Sequence, residues 1–310
     1  MKIRLFTLLV CMLACTCAAA AFAAWIPQVP GWTAQEVPLD VVSLTNSPST
    51  DGVAFDPVSG DLFMPGFAPG VLTSALMRVS QSGHVQVIVS QAGWVRPIFD
   101  PVQRILYQRT DAEILRFDEH GAPLPSIIDV PPGPIAVAPD GRLYSLAWHP
   151  PTQAHLDLLR YDGTDLGWNP VQLLPAAMAP WNYSMPDQML FDLSGKLFLV
   201  EGGAAFRADD AQITFVGGSL LQAQAAVGAG FFFLGAAFTD AGSGSSTNMP
   251  PFALPNPTSI GLTGVAVTPD GRILFTAQEG YYGPASLVIF SPGATPTVRR
   301  SWGAVKTAAR

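Results

Sequence analysis

Gly264-Val-Ala-Val-Thr-Pro-Asp-Gly-Arg-Ile-Leu-Phe275 and Pro134-Ile-Ala-Val-Ala-Pro-Asp-Gly-Arg-Leu-Tyr144 are two copies of one pattern. Each is an apolar strand, a Pro-Asp-Gly turn and a second apolar strand that closes on an aromatic residue. Pro presets φ, Asp bonds its own backbone and Gly accepts positive φ, so the pattern predicts a β-hairpin. Further copies occupy residues 52–63, 97–107 and 188–198. Their turns fall at Pro57, Pro101, Pro139, Leu193 and Pro269, with gaps of 44, 38, 54 and 76 residues. The last gap is two units long. Ala226-Val-Gly-Ala-Gly-Phe-Phe-Phe-Leu234 fills it, keeping the apolar strands and the glycine while losing Pro and Asp.

Behind the hairpins runs a third strand ending in an aromatic and a turn. Leu115-Arg116-Phe117-Asp118-Glu119-His120-Gly121 and Leu159-Arg160-Tyr161-Asp162-Gly163 are examples. A fourth, alternating strand follows, as in His84-Val-Gln-Val-Ile-Val89, which suits an outer position. Six such units predict an all-β fold, a six-bladed β-propeller of four-stranded antiparallel blades. Blades cannot bury their faces alone, so the ring must close. Glu36-Val-Pro-Leu-Asp-Val-Val-Ser-Leu44 is predicted to do this beside Thr297-Val-Arg-Arg-Ser-Trp302. Three regions result: a secretory signal peptide (1–23), a lead-in with the ring-closing strand (24–50) and the propeller (51–310).

The signal rests on Lys2 and Arg4, an apolar core over residues 5–13 and a small-x-small site at Ala21-Phe22-Ala23. It predicts an exported protein, periplasmic or secreted. Lipoprotein processing at Cys15, after Met12-Leu13-Ala14, is the alternative. Cys11, Cys15 and Cys17 are the three cysteines, so the processed chain is expected to have no disulfide and no thiol chemistry. A net charge of −7 without a basic run argues against nucleic acid and against anionic membrane surfaces. No transmembrane segment is expected in the mature chain, because residues 225–238, its longest apolar run, are too few to span a bilayer.

The repeat unit, followed by (Leu/Ile)-Arg-aromatic-Asp-x-x-Gly, resembles the NHL-repeat propellers and the gluconolactonase and senescence-marker-protein propellers. The likeness spans residues 51–302. The lactonase branch implies one divalent cation, calcium or magnesium, in the central channel, held by an early-blade acid and by Asn and Asp at inner-strand starts. Its usual Pro-Asn-Gly stretch is Pro186-Asp187-Gln188 in this chain.

Loops leading into the innermost strands, and those after their hairpin partners, build one mouth of the channel. They carry Asp51, Arg96, Asp187, Arg109, Asp111, Trp148, His149, Glu201, Gln278, Glu279, Tyr281 and Tyr282. Asp51, Asp187, Glu201 and Glu279 are the candidate metal ligands, since hard cations take several oxygens. Trp148, His149, Tyr281 and Tyr282 are the candidate ligand-binding residues, aromatic faces with one titratable ring. The chain has no Gly-x-Ser-x-Gly elbow and no His-x-x-x-His spacing. Two readings remain: a binding module for a protein partner or small ligand at one rim, and a metal-dependent lactonase-like hydrolase in the channel.

Overall fold

The structure is a computed structural model. It describes residues 26–292 apart from short stretches, the longest being 45–51, 68–73, 176–184, 219–224 and 254–259. Side chains of residues 216–263 are not described. The expected signal peptide and Thr297-Val-Arg-Arg-Ser-Trp302 lie outside the described residues. Among the described residues, no helix is long and apolar enough to cross a membrane.

The chain is an all-β propeller of antiparallel blades. Strands Pro97–Asp100, Ile105–Arg109, Ile114–Asp118 and Pro123–Ile127 form the second sheet. Ile135–Val137, Leu143–Trp148, His155–Tyr161 and Trp168–Pro175 form the third, and Gln188–Phe191, Leu197–Glu201, Ala204–Asp209 and Gln212–Gly218 the fourth. The degenerate copy folds as the spacing predicts. Ala225–Gly228 and Phe231–Leu234 pair as a hairpin, continued by Ala237–Asp240 and Ser246–Thr247.

Among the described residues, five four-stranded blades are present rather than the expected six, because the first sheet has five strands. Its strand Leu62–Phe67 pairs along one edge with two short strands, Ala54–Phe55 at one end and Ser43–Leu44 at the other. Gly52 precedes the inner strand, and an added Cβ there would lie 2.9 Å from Arg96 Cδ.

Ring closure comes from the expected region with shifted bounds. Trp32–Leu39, which shares residues 36–39 with the expected 36–44, lies beside Ala285–Pro292 in register Glu36↔Val288. It becomes the outer strand of a sheet completed by Ile260–Val267 and Ile273–Glu279. Residues 32–36 alternate half-buried and exposed, and the strand then buries Val37 and Leu39 on its other face.

Packing between sheets is continuous around this part of the ring. Val37, Leu39, Leu274 and Leu287 of the closing sheet meet Leu62, Met64 and Met77 of the first. Phe63, Leu76, Phe99 and Phe117 fill the next interface, with the Phe63 and Phe99 rings 4.9 Å apart. Tyr107, Ile114, Ile135 and Leu143 fill the one after, and Leu146, Leu156, Met189 and Leu199 join the third sheet to the fourth. Phe63, Leu76 and Leu106 are fully buried, and each such side chain contributes about 2 kcal/mol.

The turns follow the predicted chemistry. Asp56 Oδ1 accepts from the Val58 amide at 2.9 Å, and Asp100 Oδ1 from the Val102 and Gln103 amides at 2.8 and 3.0 Å. Gly60 sits at φ 79°, Gly141 at 78° and Gly271 at 85°. In the second unit the equivalent position is Arg104, at φ 60°. A non-glycine residue there costs about 1–2 kcal/mol. Its side chain offsets that cost: both terminal nitrogens reach Asp56 at 2.6 Å, and Glu119 closes the group.

Candidate functional site

The first strands of successive sheets wall a cavity of about 490 Å³ on the axis of the ring. Its wall is apolar: Phe55, Ile98, Ile135, Val137, Met189, Leu190, Phe191, Val265 and Val267 all contribute. That follows from the repeat, since each first strand reads as an apolar run and turns alternate residues inward. At one end stand the turn residues Pro57, Pro101, Pro139, Asp192 and Pro269. At the other stand Arg96, Arg109, Thr110, Asp111, Asp187 and Gln188. Cationic groups on the cavity lining are confined to this second mouth.

Arg96 lies just before the second sheet, and its Nη1 donates to Gln188 Oε1 of the fourth sheet at 2.7 Å. The side chain therefore passes over the third unit's place in the ring and crosses the mouth. Burial pulls the Arg96 guanidinium down to about 10. Arg109 ends the second strand of its sheet, and its Nη2 donates to the Pro131 carbonyl at 2.8 Å. Its buried Nε has no hydrogen-bond partner. Burial lowers the Arg109 pKa, and the charge of Asp111 acts in the opposite direction. The loop beyond is held rigid: Thr110 Oγ1 accepts from the Glu113 amide at 3.0 Å and donates to the Glu113 carbonyl at 2.9 Å.

The carboxylates are arranged differently. Asp187 is exposed at the cavity edge, with its amide donating to Val200 O at 2.8 Å. Glu201 ends the neighbouring strand, half-buried and off the cavity lining. These two stand at one end of one hairpin, where Gln188 pairs with Val200. Asp51 lies outside the described residues. Glu279 is placed by its backbone, opposite Ile260, and its side chain is not described. Among the described residues, no three His, Asp or Glu side chains stand close enough to hold a metal.

Of the aromatic candidates, Trp148 ends a third-sheet strand and packs half-buried against Leu146, Leu156 and Met189. His149 follows it, with Nδ1 3.0 Å from each oxygen of Asp157 and the rest of the side chain 45% exposed. Tyr281 and Tyr282 lie outside the described residues. The Asp157 partner was not visible in the sequence, because the contact crosses a hairpin that pairs Ala147 with Asp157. Gln188 was likewise missed as a polar group of the mouth. The signal for it was its place beside Asp187, one residue into an inner strand.

No protein-family model matches the chain, and no curated protein matches it. Solved structures do share the fold. A gluconolactonase from Xanthomonas campestris is similar at 16% identity and TM-score 0.50, covering 87% of this chain and 93% of its own. An auxiliary nutrient binding protein from Bacteroides thetaiotaomicron is similar at 11% identity and TM-score 0.52, covering 84% of this chain and 77% of its own. At these identities the likeness concerns the scaffold, which serves unrelated functions.

Proposed function

We propose that this propeller is an exported binding module that takes a small ligand through the mouth formed by Arg96, Arg109, Asp187 and Gln188. One observation carries the reading: an apolar lumen of ligand size whose arginines gather at a single end. Ligand sites are concave, mostly apolar, and oriented by a few convergent polar groups. Trp148, His149, Tyr281 and Tyr282 form the outer rim in this reading, where a larger partner would make contact. The first sheet counts as a blade with a divided inner strand, so that the ring has six units. Thermal denaturation of the mature protein against a library of small acids, alcohols and sugars tests the proposal. A ligand of this site raises the midpoint by mass action, and a flat response across the library refutes it.

The second reading is a metal-dependent lactonase-like hydrolase with Asp51, Asp187, Glu201 and Glu279 around calcium or magnesium. Asp187 at the cavity edge favours it. The described donors fit such a cation poorly, because the residue next to Asp187 is engaged by a guanidinium. No catalytic step is therefore derived. Metal analysis and a chelator titration discriminate: a bound divalent ion, with a lowered midpoint on chelation that Asp187→Ala abolishes, selects the hydrolase.

A further inference from the structure

The charges of the mouth differ in burial. Asp111 and Asp187 are exposed, where water screens them. Arg96 and Arg109 are half-buried, and all four residues line the cavity. A guanidinium already desolvated by the fold loses little more water when an anion arrives, and it acts there through a low dielectric. The Arg109 side chain lines the cavity. Its Nη2 is committed to the Pro131 carbonyl and its Nε is enclosed by protein, so a ligand meets it as a charge at the mouth.

Among the described residues, the side chains beneath this collar are apolar as far as the turn end, where Asp192 is occupied by its own turn. The Asp192 Oδ1 accepts from the Ser194 and Lys196 amides at 2.9 and 2.8 Å. A polyhydroxylated ligand filling the lumen would set hydroxyls against the side chains of Phe55, Ile98, Val137, Leu190 and Val267, and each one left without a partner costs about 1–3 kcal/mol.

We propose that the ligand is an amphiphilic monocarboxylate, its apolar body in the lumen and its carboxylate on Arg109, with Arg96 as the second cation. The assignment rests on the channel reading above. Arg109 acts as the specificity-determining residue, and the rigid Thr110 loop holds it in place.

Calorimetric titration of the full mature chain with octanoate, octan-1-ol and gluconate tests the assignment. Octanoate is expected to bind at least about tenfold more tightly than either of the others, the worth of one charge-assisted hydrogen bond. Arg109→Gln, checked for an unchanged melting midpoint, removes that preference. Arg109→Lys keeps the charge, loses the planar guanidinium and falls between the two. Ile98→Trp, which narrows the lumen, weakens binding of every probe. Should octan-1-ol or gluconate match octanoate, with binding still weakened in Ile98→Trp, the monocarboxylate class is wrong while the channel site stands. Binding of no probe, or binding unchanged by Ile98→Trp, overturns both. If Arg109→Gln does not fold, an Arg109→Lys variant that keeps the full preference for octanoate refutes the role of Arg109.

Discussion

The two ends of the channel are built from the same repeat and use charge in opposite ways. At the turn end, charges are spent on the ring itself. Arg104 ties the second sheet to Asp56 of the first, and Gln103 donates to the Gly141 carbonyl of the third sheet at 2.8 Å. Arg272 of the closing sheet donates to Gln81 Oε1 of the first at 2.7 Å. At the other end, Arg96 donates to Gln188 across the mouth and Arg109 to the Pro131 carbonyl, and both arginines line the cavity. Charge at the turn end fixes the ring, and the two arginines at the mouth also face the lumen. Stability and binding should therefore separate by mutation.

The largest effect is expected at Asp56. Asp56→Ala leaves Arg104 with one acid and in a left-handed conformation that its ion pair no longer offsets. Loss of one partner of a buried pair costs about 3–5 kcal/mol. Urea denaturation should show most of that loss while any ligand response of the folded protein persists. A cost below about 1 kcal/mol would make the contact an ordinary surface pair.

Acid should expose the same difference more gently. Burial alone would raise the Asp56 carboxyl, but hydrogen bonds from Arg104, Ser59 and the Val58 amide outweigh it and hold the pKa at about 2. The folded value lies below the unfolded one. Its contribution is thus complete above about pH 4 and is lost as pH falls toward 2. Asp56→Asn should flatten the stability profile across that window. A profile unchanged by the substitution would assign the acid transition to other groups.

Asp100, at the equivalent place in the second unit, should behave in the opposite sense and more weakly. Burial, reinforced by the nearby Asp140 charge, pushes its carboxyl up against the two amide bonds it accepts. One oxygen has no partner. With the folded value raised, its ionisation favours the unfolded chain, so stability declines as pH rises through that value. Asp100→Asn keeps the turn acceptor and removes the buried charge, changing stability by less than about 1 kcal/mol in either direction. A loss equal to that of Asp56→Asn would erase the distinction between the two turns.

These contrasts also explain what the sequence could and could not reveal. Hairpins are local, so Pro, Asp and Gly at fixed offsets marked them, and spacing alone recovered the strands at Ala225–Gly228 and Phe231–Leu234. Arg104 stood in the place of a repeat glycine, a visible anomaly, but its partner Asp56 lies 48 positions away. The divided inner strand of the first sheet was hidden, because Ser43–Leu44 pairs across an intervening unit of chain. The rim positions of Arg96, Arg109 and Asp187 followed from counting strands. Which of them lie deep and which in water depends on side-chain direction across the ring. A one-dimensional pattern does not carry that.

Binding in the channel is tested most directly by a paired thermal-shift measurement on the protein and its Ile98→Trp variant, against the same library of small acids. Ile98 lines the lumen and is half-buried, so the larger ring narrows the channel at a cost of about 1–3 kcal/mol. A channel site predicts a raised midpoint for the unmodified protein with at least one acid and a smaller rise for the variant, while both remain folded. An equal rise in both proteins would place the ligand outside the channel and contradict it.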